Sequence, residues 1–190
     1  MSMALEDALA VITKQRSRRV VISTMGSVAV WPELSDSPLD FHYIPSSMGQ
    51  GPALGLGLAL AQPNHGAIVL CGDGSLLMNL GCLVTIAQHP APLWIVLLDN
   101  GQYEITGGQP VAGAGRTDFA ALAKAAGISR VYSFEMLLDW QNAAARIFEG
   151  DGPVFVWLRI IGRPGIKTPS PPKPMMEQIV QLREALAVDD

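Results

Sequence analysis

Two short runs constrain this chain more than anything else in it. Residues 67–71 (AIVLC) and 93–98 (LWIVLL) are apolar at every position, and each runs straight into a polar, glycine-containing turn. A strand with one wet face alternates apolar and polar residues. One that is apolar throughout is covered on both faces, the pattern of a parallel sheet packed between helices. The rest of the chain supplies those helices. Residues 3–16, with Leu5, Leu9 and Ile12 at helical spacing, 76–88, 118–127 and 135–149 all read as helices. Residues 19–23 (RVVIS), 41–44, 128–132 and 153–161 (PVFVWLRII) read as further strands. Strand and helix therefore alternate, which makes the fold class α/β: a doubly wound, mainly parallel sheet with helices on both faces. At 190 residues the chain has room for one such domain, placed at 1–162. Beyond it, the proline-rich stretch 163–174 (RPGIKTPSPPKP) predicts an extended strap, and 175–187 a last helix with Ile179, Leu182 and Leu186 on one stripe.

The segment 51–61 (GPALGLGLALA) reads as a helix that carries glycines at a cost of roughly 1 kcal/mol each. Close approach of its backbone to a neighbouring helix or a ligand would account for them.

Composition removes several classes of function. Thirteen basic residues against 17 acidic ones give a net charge of −4, and no basic stripe stands out, so a nucleic-acid partner is disfavoured. No apolar run approaches the ~20 residues of a membrane span. Glu6 and Asp7 interrupt the first apolar stretch, unlike a secretory signal. Cys71 and Cys82 are the only cysteines and read as small core residues in a reducing, cytoplasmic setting.

The chemistry lies in the two turns. Gly72-Asp73-Gly74-Ser75 closes one strand, Asp99-Asn100-Gly101 closes the other, and 24 residues (75–98) separate Gly74 from Asp99. That is room for one helix and one return strand, so both turns fall side by side at the carboxyl edge of the sheet, where such folds bind ligands. There Asp73 offers a carboxylate, Asn100 a side-chain carbonyl, and the backbone after Gly101 a third oxygen. With a water and two phosphate oxygens these make the octahedron that Mg2+ prefers. Gly72 and Gly74 let the backbone come close to an anion, and a helix starting near Ser75 offers it free amides.

A GDG turn closing one apolar strand and a DN turn closing the next resemble the diphosphate-binding domain of thiamine-diphosphate enzymes. The resemblance runs from about Arg19 to Ile161, with Asp99 standing where the family motif has its first asparagine. Within that family, Ser46–Leu60 (SSMGQGPALGLGLAL), Gly72–Gly81 (GDGSLLMNLG) and Leu98–Pro110 (LDNGQYEITGGQP) resemble the sulfopyruvate decarboxylase β-subunit and phosphonopyruvate decarboxylase branch. The resemblance implies thiamine diphosphate and Mg2+ as cofactors. It implies that Asp73, Asn100 and the main-chain carbonyl of Gln102 hold the metal, and that Gly72, Gly74, Ser75 and Ser27 lie at the diphosphate. Met48 would support the bent cofactor from beneath, with Ile105 beside it. Ser46 would accept a hydrogen bond from the pyrimidine amino group through its backbone carbonyl.

In the family, the glutamate that activates the pyrimidine belongs to a separate pyrimidine-binding domain, for which this chain has no room. The resemblance therefore implies an active site shared with an α subunit in a hetero-oligomer acting on a small 2-oxo acid. The Gly51–Ala61 helix and the last-helix stripe are the expected contact surfaces. Glu104 follows the metal loop and is a candidate acid/base, with a solvated or structural loop carboxylate as the competing reading. The Gly107-Gly108-Gln109 run reads as a substrate-side loop or a plain connection. Arg163 and Lys167 are candidates to steer an anionic substrate. His42, His65 and His89 lack metal-ligand spacing, and the last two read as surface residues.

Three other readings remain open at this point. One is a subunit of a carboligase of acetolactate-synthase type, or of an oxidoreductase, on the same cofactor. Another is a catalytically idle subunit that keeps the fold. The third is a non-catalytic nucleotide-binding module, although Gly55 and Gly57 give only GLGLAL, with no strand before them and no third glycine.

Overall fold

The structure is a computed structural model that describes residues 3–163 and 169–187. In chain order the strands are β1 (Val20–Thr24), β2 (Asp40–Tyr43), β3 (Ala67–Gly72), β4 (Leu93–Asp99), β5 (Gln102–Tyr103), β6 (Gln109–Pro110), β7 (Arg130–Phe134) and β8 (Val154–Arg159). The helices are α1 (Leu5–Gln15), α2 (Trp31–Leu34), α3 (Gly51–Ala61), α4 (Asp73–Leu77), α5 (Cys82–Gln88), α6 (Phe119–Ala125), α7 (Leu137–Glu149) and α8 (Met175–Ala187). Six strands form one sheet in the order β2-β1-β3-β4-β8-β7, and every neighbouring pair is parallel. The short β5–β6 ribbon stands apart and is antiparallel.

The all-apolar strands feed two cores by simple alternation. Ile22, Val69, Cys71, Ile95, Leu97, Phe155 and Trp157 point to one side, where residues of α3, α5, α6 and α8 cover them. Val21, Ile68, Leu70, Trp94, Val96, Val156 and Leu158 point to the other, under α1, α2 and α7. The doubly wound α/β expectation holds. From β1 the chain passes to β2 on one side, while β3 lies on the other. The carboxyl ends of β1 and β3 therefore flank a topological switch point, where a crevice forms in such sheets.

Four local expectations need correction. The helix expected over 76–88 is broken into α4 and α5, because Asn79 and Gly81 are weak helix formers and the Asn79 side chain donates to Gly49 O (3.2 Å). The strand expected at 128–132 starts at Arg130, since the chain turns at Gly127 (φ +105°) and buries Ile128 beneath the sheet. Two glycines of α3, Gly51 and Gly55, serve the sheet, not a helix or ligand, whereas Gly57 faces open space. A Cβ at Gly55 would collide with a methyl of Val69 and lie 3.1 Å from Leu93 Cδ1. On α8, Leu182, Leu186 and Gln178 are buried against the body, while Ile179 faces outward with Met176 and Val180. Gln178 Oε1 accepts from His42 N (2.7 Å), so that α8 caps the free edge of β2.

The strap falls partly on residues 164–168, which lie outside the described residues, as does Lys167. Among the described residues no helix is long and apolar enough to cross a membrane.

Candidate functional site

At the switch point the strand ends enclose a cleft of about 110 Å³. Its wall comes from segments far apart in sequence: Leu5 of α1, the exit of β1, Met48, the exits of β3 and β4, residues 102–106 folded over them, and Ile160 beyond β8.

The exit of β1 is a closed turn. Thr24 N–H donates to Ser27 Oγ (2.9 Å), and that hydroxyl donates back to Thr24 O (2.7 Å), so both ends of residues 24–27 are fixed. The Ser27 hydroxyl is thus committed to the backbone, although the residue lines the cleft. The missing side chain of Gly26 leaves room for Glu104, whose Oε2 would stand 3.2 Å from a Cβ there.

The exit of β3 places Asp73 at the first position of α4 with 3% of its surface exposed. The exit of β4 brings Asp99, Asn100 and Gly101 alongside. Gly101 N–H lies 3.0 Å from Asp73 Oδ2 and 3.1 Å from Asp99 Oδ1, so one amide is shared by two carboxylates. Asp99 Oδ2 also accepts from Trp157 Nε1 (2.8 Å), which fixes that side chain. Burial first, then the adjoining Asp99 carboxyl, pushes the Asp73 pKa up to about 7, against the pull of the Gly74 and Gly101 amides. A nearly buried acid beside a second acid, with no cation paired to it among the described residues, is an arrangement typical of functional sites.

The Asn100 side chain turns back to accept from Gln102 N (2.9 Å). In the ribbon, the carbonyls of Gly101 and Tyr103 accept from Val111 and Gly108 (3.0 and 2.9 Å), and strand alternation turns that of Gln102 to the opposite side. Gly74 has to lack a side chain because the Tyr103 ring occupies its place. The Ser75 hydroxyl accepts from Gly49 N (2.8 Å), which ties the 46–50 loop to α4 and holds Met48 against the cleft.

Ser27, Met48, Gly72, Asp73, Gly74, Ser75, Asn100, Gln102, Glu104 and Ile105 therefore all line one cleft. Ser46 is the exception: it stands outside that wall, with its hydroxyl buried and without a partner. Glu104 is buried rather than solvated, and its Oε1 accepts from the backbone N–H of Arg163. Gln109 folds back on Thr106 (2.8 Å to its carbonyl) at an exposed ribbon tip. Tyr103 was not anticipated; its aromatic ring one residue beyond the metal loop was the available signal. Of the histidines, His89 is exposed, whereas His65 is buried with Nδ1 2.8 Å from Arg18 O, contrary to the surface reading.

The family model described as "Thiamine pyrophosphate enzyme, C-terminal TPP binding domain" matches residues 24–158. The chain belongs to this family. It is 45% identical over 133 residues to the sulfopyruvate decarboxylase subunit beta of Methanothermobacter thermautotrophicus, covering 70% of this chain and 66% of that one. It is 37% identical over 163 residues to the phosphonopyruvate decarboxylase of Streptomyces viridochromogenes, covering 85% of this chain but 39% of that protein. The chain thus spans less than two thirds of either relative. Among solved structures, the thiamine diphosphate-dependent 4-hydroxybenzoylformate decarboxylase of Rhodococcus jostii RHA1 superposes with a TM-score of 0.72 at 22% identity. That match covers 85% of this chain and 33% of that one, and shows a common fold.

Proposed function

We propose that this chain is the diphosphate-binding (β) part of a thiamine-diphosphate- and Mg2+-dependent 2-oxo acid decarboxylase of the sulfopyruvate/phosphonopyruvate type. A separate pyrimidine-binding α subunit would complete it. The observation that carries the reading is the junction of β3 and β4, where the Gly101 amide joins the Asp73 and Asp99 carboxylates at the switch point. The oxygens there are hard donors and few, as a magnesium ion carrying a diphosphate requires. Among the described residues no group of three or more His, Cys, Asp or Glu side chains offers a rival centre.

In this reading Asp73, the Asn100 side chain and the Gln102 carbonyl hold the metal, and Gly72 and Gly74 admit the diphosphate to the backbone. Thiamine diphosphate, when bound, supplies an electron sink for the pair left by departing carbon dioxide. The chain's own residues position and dry the site. Met48 and Ile105 form apolar support, and Ser75 and Asn79 keep the Met48 loop in place through Gly49. Glu104 holds the chain after β8 at the rim and stands ready at the cleft wall. The group that activates the pyrimidine would come from the α subunit.

The test is reconstitution. The chain purified alone is expected to decarboxylate nothing, and the complex with its partner to release carbon dioxide from a 2-oxo acid. Asp73→Ala should abolish Mg2+-dependent binding of thiamine diphosphate to that complex, measured by calorimetry. Undiminished binding would refute the metal assignment, and full turnover by the lone chain would refute the shared active site.

A further inference from the structure

Resting on the reading above, we propose that Arg163 is the subsite for a second anionic group of the substrate, a sulfonate or phosphonate on the carbon next to the 2-oxo group. A decarboxylase for such an acid has to place a tetrahedral oxyanion near the cleft, and among the described residues the cleft wall contains no lysine or arginine. It carries instead two acids, Asp73 and Glu104. A cation of this chain that serves the cleft therefore stands just beyond that wall.

The chain after β8 delivers one. Ile160 N–H bonds Asp99 O and Ile161 N–H bonds Met3 O, each at 2.9 Å, so the segment runs across the strand tips with Ile160 in the cleft wall. Gly162 then packs on the Gln102 side-chain amide, which a Cβ there would displace. Next, the Arg163 N–H bonds the Glu104 carboxylate. Gln102 and Glu104 both line the cleft, so Arg163 is anchored at its rim.

The guanidinium is half used. Nη1 pairs with Glu6 Oε1 at 2.5 Å on the solvent side, where Glu6 is half exposed. Nε and Nη2 are buried and have no hydrogen-bond partner. Buried charged donors without acceptors are costly, more so than neutral ones. These two nitrogens form one edge of the fork, the edge that grips two oxygens of a single oxyanion side by side. Glu6 holds the opposite side and fixes the direction of that edge. The site is thus prepared for an anion that this chain does not itself provide.

Two measurements test it. In the full chain labelled with 15N on arginine, the Arg163 Nε–H resonance, assigned by its loss in Arg163→Lys, is expected to shift with saturation on titration with methylphosphonate or methanesulfonate. The ion that moves it further identifies the preferred oxyanion; a resonance that neither ion moves overturns the subsite. In the complex with the α subunit, Arg163→Gln is expected to lower the preference for the sulfo- or phosphono-substituted acid over plain pyruvate about tenfold to a hundredfold, the value of a charge-assisted pair. An equal loss on both acids marks Arg163 as structural and also overturns it. A complex that decarboxylates no 2-oxo acid refutes the parent reading instead, and the resonance titration then decides the subsite by itself.

Discussion

Asp40 and Asp73 are both buried carboxylates at the ends of strands, and they serve opposite purposes. Asp40, at the start of β2, receives the Arg16 guanidinium and Trp31 Nε1 (3.0 Å) on one oxygen, and Ser35 Oγ (2.5 Å) and Ser37 N (3.0 Å) on the other. Every lone pair it needs to satisfy has a donor, and a buried cation matches its charge. Asp73, at the tip of β3, has backbone amides and a second carboxyl beside it. The first is a strut closing the flank of the sheet. The second is short of positive charge, the state of a group that awaits a ligand. Burial is the same in both; completeness of the surrounding charge separates structure from function.

The sharpest way to break this contrast is to delete each acid. Asp40→Ala leaves Arg16 buried and unmatched, and should cost about 3–5 kcal/mol in denaturant unfolding. Asp73→Ala removes one of two crowded acids and should leave the metal-free chain no less stable. Equal losses would refute the distinction.

Two glycines extend the test at smaller amplitude. Gly55→Val drives into Val69 in the core and should cost about 1–3 kcal/mol. Gly74→Ala meets the Tyr103 ring at the site, where the ring belongs to a two-residue ribbon that yields, so it should lower cofactor affinity more than stability. Comparing unfolding midpoints with binding isotherms for both variants decides it.

The smallest effect is pH dependence on the strut side. Burial, opposed by the charge of Asp40, holds the His42 pKa below its usual 6.5. A depressed folded-state value means that stability is present above pH 6.5 and is lost as pH falls below it. Asp73, with its pKa raised to about 7, acts in the opposite sense over the same range, so the His42 contribution is read as a difference: from pH 7.5 to 5 the melting temperature of the unaltered chain should fall relative to that of His42→Gln below about 6.5.

Much of this was legible in the sequence wherever a local rule was sufficient. The runs 67–71 and 93–98 declare buried parallel strands because every position is apolar, and the turns that end them carry Asp73 and Asn100 to one edge by spacing alone. The α4–α5 break was harder to read, because Asn79 leaves the helix to bind Gly49, a partner 30 residues away. His65 looked like a turn residue, and its burial depends on Arg18 O from the other end of β1. The α3 glycines announced a close approach, but only packing against Val69 and Leu93 shows that the sheet is what Gly55 approaches, and that Gly57 approaches nothing. On α8 helical periodicity found Leu182 and Leu186, yet assigned Ile179 to the wrong side, since a stripe has no edges until a neighbour supplies them.

By itself the amino-acid order determined the class of sheet, its two-sided cover and the meeting of two polar turns, since alternation and chain length act within a few residues or one crossover. Tertiary structure alone decided that Asp99 shares an amide with Asp73, that Tyr103 takes the space beside Gly74, and that Arg163 keeps two guanidinium nitrogens buried and unmatched. Those depend on groups brought together from distant segments, and the strength of a charge in a protein depends on what burial leaves beside it.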